Sequence, residues 1–123
     1  MIKRCGITVL SAFALSMNAM AAEDADLAHI RALDCFNEAA DYFVRNTNEA
    51  ADLIVPAVIA RCKMEVDEWI HNLSIDINRT QNIMMETPIA VTEAQVAEEF
   101  RVSLPNRILT TIVEARARVN ATQ

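Results

Sequence analysis

Glycine is almost absent from this chain. Its one glycine, Gly6, lies near the N-terminus, so residues 7–123 contain none. Phosphate-cradling loops, dinucleotide-binding fingerprints and Gly-x-Ser-x-Gly turns need glycine where the backbone turns sharply or approaches a ligand closely. Type I′ and II′ hairpin turns favour glycine because they require positive φ angles. We therefore expect an all-α protein with simple loops and none of these glycine-dependent sites.

The N-terminal residues follow the pattern of a secretory signal peptide. Lys3 and Arg4 form a positive segment, residues 7–17 form an apolar stretch, and Ala19 and Ala21 provide the small-x-small pattern that signal peptidase reads. The apolar stretch has 11 residues, fewer than the roughly 20 needed to span a bilayer. We predict a signal peptide of residues 1–21, cleaved after Ala21, and a periplasmic or secreted product.

The predicted mature chain, residues 22–123, forms a single helical domain with an acidic balance. It contains nine Lys and Arg against 17 Asp and Glu, a net charge of −8. This balance argues against a nucleic-acid partner, because such binding depends on neutralising phosphates with Lys and Arg. Residues 100–123 differ, with four bases and one acid. This basic tail either pairs with the acidic body, which we favour, or binds an anionic partner.

Two cysteines, Cys35 and Cys62, remain after the predicted cleavage, because Cys5 lies in the signal peptide. An even number of cysteines in an oxidising compartment favours a disulfide. A catalytic redox pair usually has the much closer Cys-x-x-Cys spacing. We predict a structural Cys35–Cys62 disulfide.

Apolar periodicity predicts two helices in the first two thirds of the chain. The first runs from about Glu23 to Arg45. Thr47 or Asn48 is placed to cap the second, which continues to at least Leu73. A helical hairpin is the simplest connection between them.

Two interruptions are predicted in this region. Pro56 should kink the second helix or mark its restart. Residues 74–78 form a second predicted break, because Ser, Asp and Asn side chains compete for backbone hydrogen bonds.

The last helix has a clear start signal. Thr92 and Gln95 have the spacing of a capping box, so the helix should begin near Glu93 and end near Val119. Its apolar residues recur every four positions across Pro105, which predicts one kinked helix or two short ones. These residues are Val96, Phe100, Leu104, Ile108 and Ile112.

The cysteines lie on narrow apolar seams of the first two helices. One seam contains Ala28, Ala32, Cys35, Ala39 and Tyr42, and the other contains Val55, Ile59, Cys62, Val66, Trp69 and Leu73. If Cys35 meets Cys62 in an antiparallel pair, Ala28 faces Trp69, which we expect in the core. The predicted fold is an all-α, disulfide-pinned antiparallel helical hairpin with a Pro-kinked C-terminal helix packed across it (a three- to four-helix bundle). That helix should cover Leu27, Ile30, Leu33, Phe36 and Phe43.

A metal site is the first chemical possibility. Asp26 and His29, and likewise Glu68 and His71, have the carboxylate-x-x-His spacing of di-iron bundles. In the antiparallel register, however, helical rotation sends His29 and Glu68 to opposite sides of the helix pair. We interpret these residues as solvated polar positions, and we predict no metal and no cofactor.

Nucleophilic catalysis has equally little support. Ser74 and Ser103 have no accompanying signal of a strained turn or an oxyanion hole. We assign no catalytic residue and predict a protein that is not an enzyme. Met84 and Met85 beside Ile83 indicate either a packed helix end, which we favour, or an adaptable docking surface.

Two segments resemble known groups of proteins. Leu33-Asp34-Cys35 and Ala57-Val58-Ile59-Ala60-Arg61-Cys62 resemble a broad group of small secreted two-cysteine helical proteins from proteobacteria, a resemblance that implies no activity. Val55-Pro56-Ala57-Val58-Ile59-Ala60-Arg61-Cys62 also looks like part of the periplasmic acid-stress chaperones. Those are small helical proteins with one disulfide that loosen at low pH and hold unfolding clients.

Two functional hypotheses follow. The leading one is a non-enzymatic protein that binds an unidentified protein partner in the cell envelope, with no stable membrane insertion of the mature chain. The alternative is an acid- or stress-responsive periplasmic holdase. In that case, protonation of the carboxylates would make the chain strongly positive, loosen the third helix and expose Leu27, Ile30 and Phe36.

Overall fold

The computed structural model describes the backbone of residues 2–122 and the side chains of residues 24–122. Four helices account for most of this region: α1 (Ile2–Asn46), α2 (Ala51–Arg61), α3 (Lys63–Met84) and α4 (Glu93–Ala121). The described backbone contains no strand, and the prediction of an all-α protein is confirmed. α1 begins before the predicted Glu23 and ends one residue after Arg45. The side chains of the predicted signal peptide, residues 1–21, lie outside the described residues.

The connection between α1 and α2 differs from the prediction. The hydroxyl and the backbone N–H of Thr47 both donate to the carbonyl of Phe43, each at 2.9 Å. Thr47 therefore closes α1 and is not free to cap the next helix. The N-cap of α2 is Ala50, which makes no side-chain hydrogen bond. The prediction that Thr47 or Asn48 caps the second helix is wrong.

The predicted second helix is two helices that meet at Cys62. This residue has φ −102° and ψ 19°, which interrupts the helix, although its N–H still donates to the Val58 carbonyl at 3.0 Å. Pro56 lies inside α2, so the predicted restart there is wrong. Because proline removes only one backbone donor from the ladder, the helix continues around it.

The predicted break at residues 74–78 is also wrong, because α3 continues to Met84. The hydroxyl of Ser74 donates to the carbonyl of His71, 2.8 Å away within the same helix. The side chain of Asn78 bonds to Val91 instead of to its own helix. The Asn78 side chain therefore does not compete with the α3 backbone, and the Ser74 bond forms without interrupting the helix.

The start of α4 is confirmed. The hydroxyl of Thr92 accepts the Gln95 N–H at 3.2 Å, and the Gln95 side chain accepts the Thr92 N–H at 2.9 Å. These two bonds form the capping box. α4 is a single helix through Pro105 that ends two residues after the predicted Val119; a kink at Pro105 stays a prediction.

The core lies where α1 meets the other helices. α1 contributes small residues and one large ring, Phe36, which is buried. α4 contributes an apolar row that includes Leu104, Ile108 and Ile112. Leu27 and Ile30 are 48% and 52% exposed, so the prediction that the C-terminal helix covers them is wrong. They lie on the flank of α1, away from its buried stripe of Ala28, Ala32, Ala39 and Ala40.

Contacts between α1 and α3 run in opposite directions along the two helices. The Cys35–Cys62 disulfide is formed, with the Cα atoms 5.9 Å apart. Further along, Arg31 donates to Glu68 at 3.0 Å, and the His29 ring stacks on Trp69. Trp69 lies in the core, as predicted, and the His29 ring contacts one face of it.

Candidate partner-binding surface

The end of α3 and the loop that follows it carry four large apolar side chains in solvent. We call Ile83, Met84, Met85 and Ile89 the apex; their exposed fractions are 68%, 78%, 48% and 74%. The favoured prediction of a packed helix end is therefore wrong. Clusters of exposed apolar residues, unlike scattered ones, are typical of interaction sites.

One asparagine joins α3 to the end of the loop that carries part of the apex. The Nδ2 of Asn78 donates to the carbonyl of Val91 at 2.8 Å, and the N–H of Val91 donates to the Oδ1 of Asn78 at 2.7 Å. Both residues are partly buried. This paired bond holds the end of the loop against α3. The two ends of residues 79–90, which comprise the last turns of α3 and most of the loop, are therefore fixed relative to each other.

An apolar groove begins beside the apex. Its walls are Leu73 and Ile77 from α3, and Val96 and Phe100 from α4, and Ile89 of the apex also lines it. The cavity measures about 510 Å³. Each wall presents two side chains separated by one helical turn, which is the spacing at which another helix can interdigitate.

The groove is connected through Phe100 to Trp69, which lies in the core. The Phe100 ring meets Trp69 edge-on, with the centroids 4.5 Å apart. His29 stacks on Trp69 at 4.4 Å, and the guanidinium of Arg107 lies 5.8 Å from the Trp69 ring centre. Trp69 is the chain's single tryptophan, so it is a natural optical reporter of the groove.

The rim of the groove is acidic. Glu98 and Glu99 line it. Hydrogen bonds from Arg101, at 2.6 and 2.9 Å, hold the pKa of Glu98 below its ordinary value, and the same contact raises the pKa of Arg101. Glu99 has no ion-pair partner within residues 24–122. The net charge beside the apolar walls is therefore negative.

The carboxylate–histidine pairs are dispersed. Glu68 bonds to Arg31, His71 bonds to Glu93, and His29 lies against Trp69. Within the region whose side chains are described, no three His, Cys, Asp or Glu side chains lie close enough to hold a metal ion. The hydroxyls of Ser74 and Ser103 donate to backbone carbonyls of their own helices.

A second, polar cavity of about 830 Å³ lies at the opposite end of the protein, beside the loop between α1 and α2. Arg116 bridges it by donating to the carbonyl of Glu49. Nearby, Arg118 bonds to Asp41 at 3.0 Å. One base of the tail, Arg118, thus pairs with an acid of the body.

The sequence patterns did not reveal the groove, although a signal for it is present. Seven of the nine residues from Ile83 to Val91 are apolar or proline, yet the capping box at Thr92 excludes this stretch from α4. A largely apolar segment that follows a helix end and contains two methionines is typical of a contact surface.

These features define a disulfide-linked all-helical protein with an exposed apolar apex and an adjoining acidic-rimmed groove. None of the helices, over the residues described, is both long and apolar enough to cross a membrane. No protein-family model, curated protein or solved structure matches the chain significantly.

Proposed function

We propose that this protein is a non-enzymatic binding protein of the cell envelope, and that the apex is its contact surface for another protein. The observation that carries the proposal is the exposure of Ile83, Met84 and Ile89, each more than two thirds in solvent. Burying these side chains against a partner is favourable because it removes apolar surface from water. Methionine adds adaptability, since its unbranched side chain can follow an irregular surface.

The proposal includes export and the finer architecture. The signal peptide is removed after Ala21, and residues 22–123 form the mature domain in the periplasm or outside the cell. The disulfide supports this location because such bonds persist in oxidising compartments. In the mature domain α1 and α3 form an antiparallel hairpin, and α4 packs across it with a kink at Pro105.

A site-specific cross-linking experiment tests the proposal. A photoreactive amino acid replaces Met84 in the full chain expressed in its native cells, and a matched protein carries it at Met64. Met64 is a good control because it is also an α3 methionine and is 82% exposed, but it lies near the opposite end of the helix. We expect one defined protein adduct from position 84 that position 64 does not give.

Binding measurements with the purified adduct partner then quantify the contact. Met84→Asp should weaken binding about tenfold or more, as expected for a central apolar contact, and Met64→Asp should change it less than about twofold. Equal adducts from the two positions, or equal effects of the two substitutions, would refute the apex as the contact surface.

The holdase is the second candidate, favoured by the distribution of the ion pairs. Arg31–Glu68 joins α1 to α3, Arg118–Asp41 joins α4 to α1, and His71–Glu93 joins α3 to α4. The positive self-repulsion that the hypothesis assigns to low pH would oppose these links between helices. Leu27 and Ile30, two of the three side chains that acid loosening was expected to expose, are already exposed. Phe36 is therefore the residue that such loosening would uncover.

Binding of an apolar dye from pH 7 to pH 3 separates the two candidates. A holdase should gain dye binding reversibly on acidification and suppress the aggregation of an acid-denatured client. A protein that binds one partner through its apex should bind no additional dye over this range while it stays folded.

A further inference from the structure

The groove beside the apex has the dimensions and side-chain spacing of a helix-binding site. Leu73 and Ile77 on one wall, and Val96 and Phe100 on the other, are pairs of residues four positions apart. An amphipathic helix presents its own apolar side chains at the same interval and can seat them between the two rows. The cavity of about 510 Å³ has room for several such side chains.

The charges around the groove specify the partner further. Glu98 and Glu99 line the groove. Glu86 and Glu93 are the other acids of residues 86–101, and Arg101 is the one base of that segment. Arg101 is already bonded to Glu98, and Arg79 on α3 is itself engaged. Two of the acids, Glu86 and Glu99, have no ion-pair partner among residues 24–122. An approaching Lys or Arg would therefore meet free carboxylates, whereas an approaching Asp or Glu would be repelled.

We propose that this groove binds an amphipathic α-helix of an envelope protein, one whose apolar face is flanked by Lys or Arg. The inference rests on the proposed function and identifies the chemistry of the partner segment. The apolar rows provide most of the affinity, and the acidic rim selects the charge and the orientation of the incoming helix.

Two designed peptides test the charge selection. They share one apolar helical face and contain no tryptophan; one carries lysines beside that face and the other carries glutamates. Binding to the oxidised protein is followed through Trp69 fluorescence, because Phe100 joins the groove to the indole, and through NMR shifts of the Leu73, Ile77 and Val96 methyl groups. We expect the lysine peptide to bind about tenfold more tightly and to shift these methyls.

Charge-reversal variants provide the matched control. Glu86→Lys combined with Glu99→Lys should weaken binding of the lysine peptide about tenfold and abolish the preference between the peptides. Asp34→Lys combined with Glu114→Lys changes the net charge by the same amount at exposed positions outside the groove lining. This control pair should retain the preference, apart from a small long-range effect that salt screens.

Each alternative occupant gives a distinct result. The proposal would be overturned if the two peptides bind equally or if the glutamate peptide binds more tightly. It would also be overturned if the control pair of substitutions abolishes the preference as completely as the groove pair does. Concentration-dependent dimerisation with methyl shifts in the groove would also overturn it, because the occupant would then be a second copy of the chain. If the groove is the site, Ile77→Asp should prevent lysine-peptide binding while leaving the helical circular dichroism signal intact. The conservative variant Ile77→Leu should bind the lysine peptide as the natural protein does.

Failure of this inference differs from failure of the proposed function. If neither peptide binds but the partner cross-linked at position 84 still depends on Met84, the groove assignment is wrong and the apex assignment stands. If the lysine peptide binds but positions 84 and 64 give equal adducts, the groove chemistry stands and the apex function is wrong.

Discussion

The imidazole of His29 lies flat on the indole of Trp69, with the ring centroids 4.4 Å apart and the planes inclined by 19°. The contact joins α1 to α3. His29 lies six positions before Cys35, and Trp69 lies seven positions after Cys62. The Nε2 atom of His29 is buried and has no hydrogen-bond partner among the described residues. The ring of His29 therefore contributes to stability by stacking and not by hydrogen bonding through Nε2.

Substitutions at His29 separate these two contributions. We expect His29→Ala to lower the free energy of unfolding by about 1–2 kcal/mol, since it removes an aromatic contact. His29→Phe keeps a ring and removes the unpaired nitrogen, so it should preserve or raise stability. Urea unfolding followed by circular dichroism measures both variants. If His29→Phe is as destabilising as His29→Ala, stacking is not the stabilising contact.

Asn78 should contribute more to the free energy of unfolding than is usual for a partly exposed polar side chain. Asn78→Leu leaves both the N–H and the carbonyl of Val91 without their side-chain partner. We expect a loss of about 1–2 kcal/mol and faster hydrogen exchange at the Val91 amide. Asn72→Ala is the control, because Asn72 donates only to the carbonyl of Glu68 within its own helix. Its cost should be below about 0.5 kcal/mol, and equal costs would contradict a structural role for the Asn78 bond.

The disulfide should supply a large part of the stability. Cys35 and Cys62 are 27 positions apart, and cross-linking a loop of this length stabilises a chain by roughly 3.6 kcal/mol through the unfolded state. Replacing both residues with alanine should lower the free energy of urea unfolding by about that amount. A reducing agent should destabilise the natural protein to a similar degree and leave the double variant unchanged. A loss below about 1 kcal/mol would indicate that the unfolded chain is already compact.

The pair Glu98–Arg101 predicts a specific titration. Hydrogen bonding to Arg101 lowers the pKa of Glu98, so the stabilisation is present above the ordinary pKa of a glutamate and is lost as the pH falls through the lowered value. Arg101→Gln should return the pKa of Glu98 towards its ordinary value, as measured by NMR of its carboxyl carbon. Arg118→Gln removes a different pair, Arg118–Asp41, and should leave the titration of Glu98 unchanged. A similar shift in both variants would assign the effect to net charge.

The features that the sequence predicted correctly depend on local or strongly constrained chemistry. The capping box of Thr92 and Gln95 spans four residues, so its signal is complete in the local sequence. The buried row of α4 repeats with the helical period, which the sequence displays directly. With only Cys35 and Cys62 available after the predicted cleavage, one pairing was possible.

The features that were missed depend on distant partners. Asn78 supports α3 because Val91, 13 residues away, takes its side-chain hydrogen bonds; a local pattern predicts a break there instead. The interruption at Cys62 falls at the cross-linked residue, within a segment whose periodicity is continuous. The exposure of Met84 depends on which helices extend far enough to cover it, and that is a property of the whole assembly.

The bond between Asn78 and Val91 also bears on how this protein can change over generations. It brings the two ends of residues 79–90 together, and we call this segment the cassette. Other residues build the core. Substitutions in this segment, and insertions or deletions in its loop after Met84, would alter the proposed contact surface without requiring the helices to repack. We therefore expect homologues to diverge most in this cassette and to retain the residues at its base. The same junction is a natural point for grafting a foreign recognition loop onto a disulfide-stabilised scaffold.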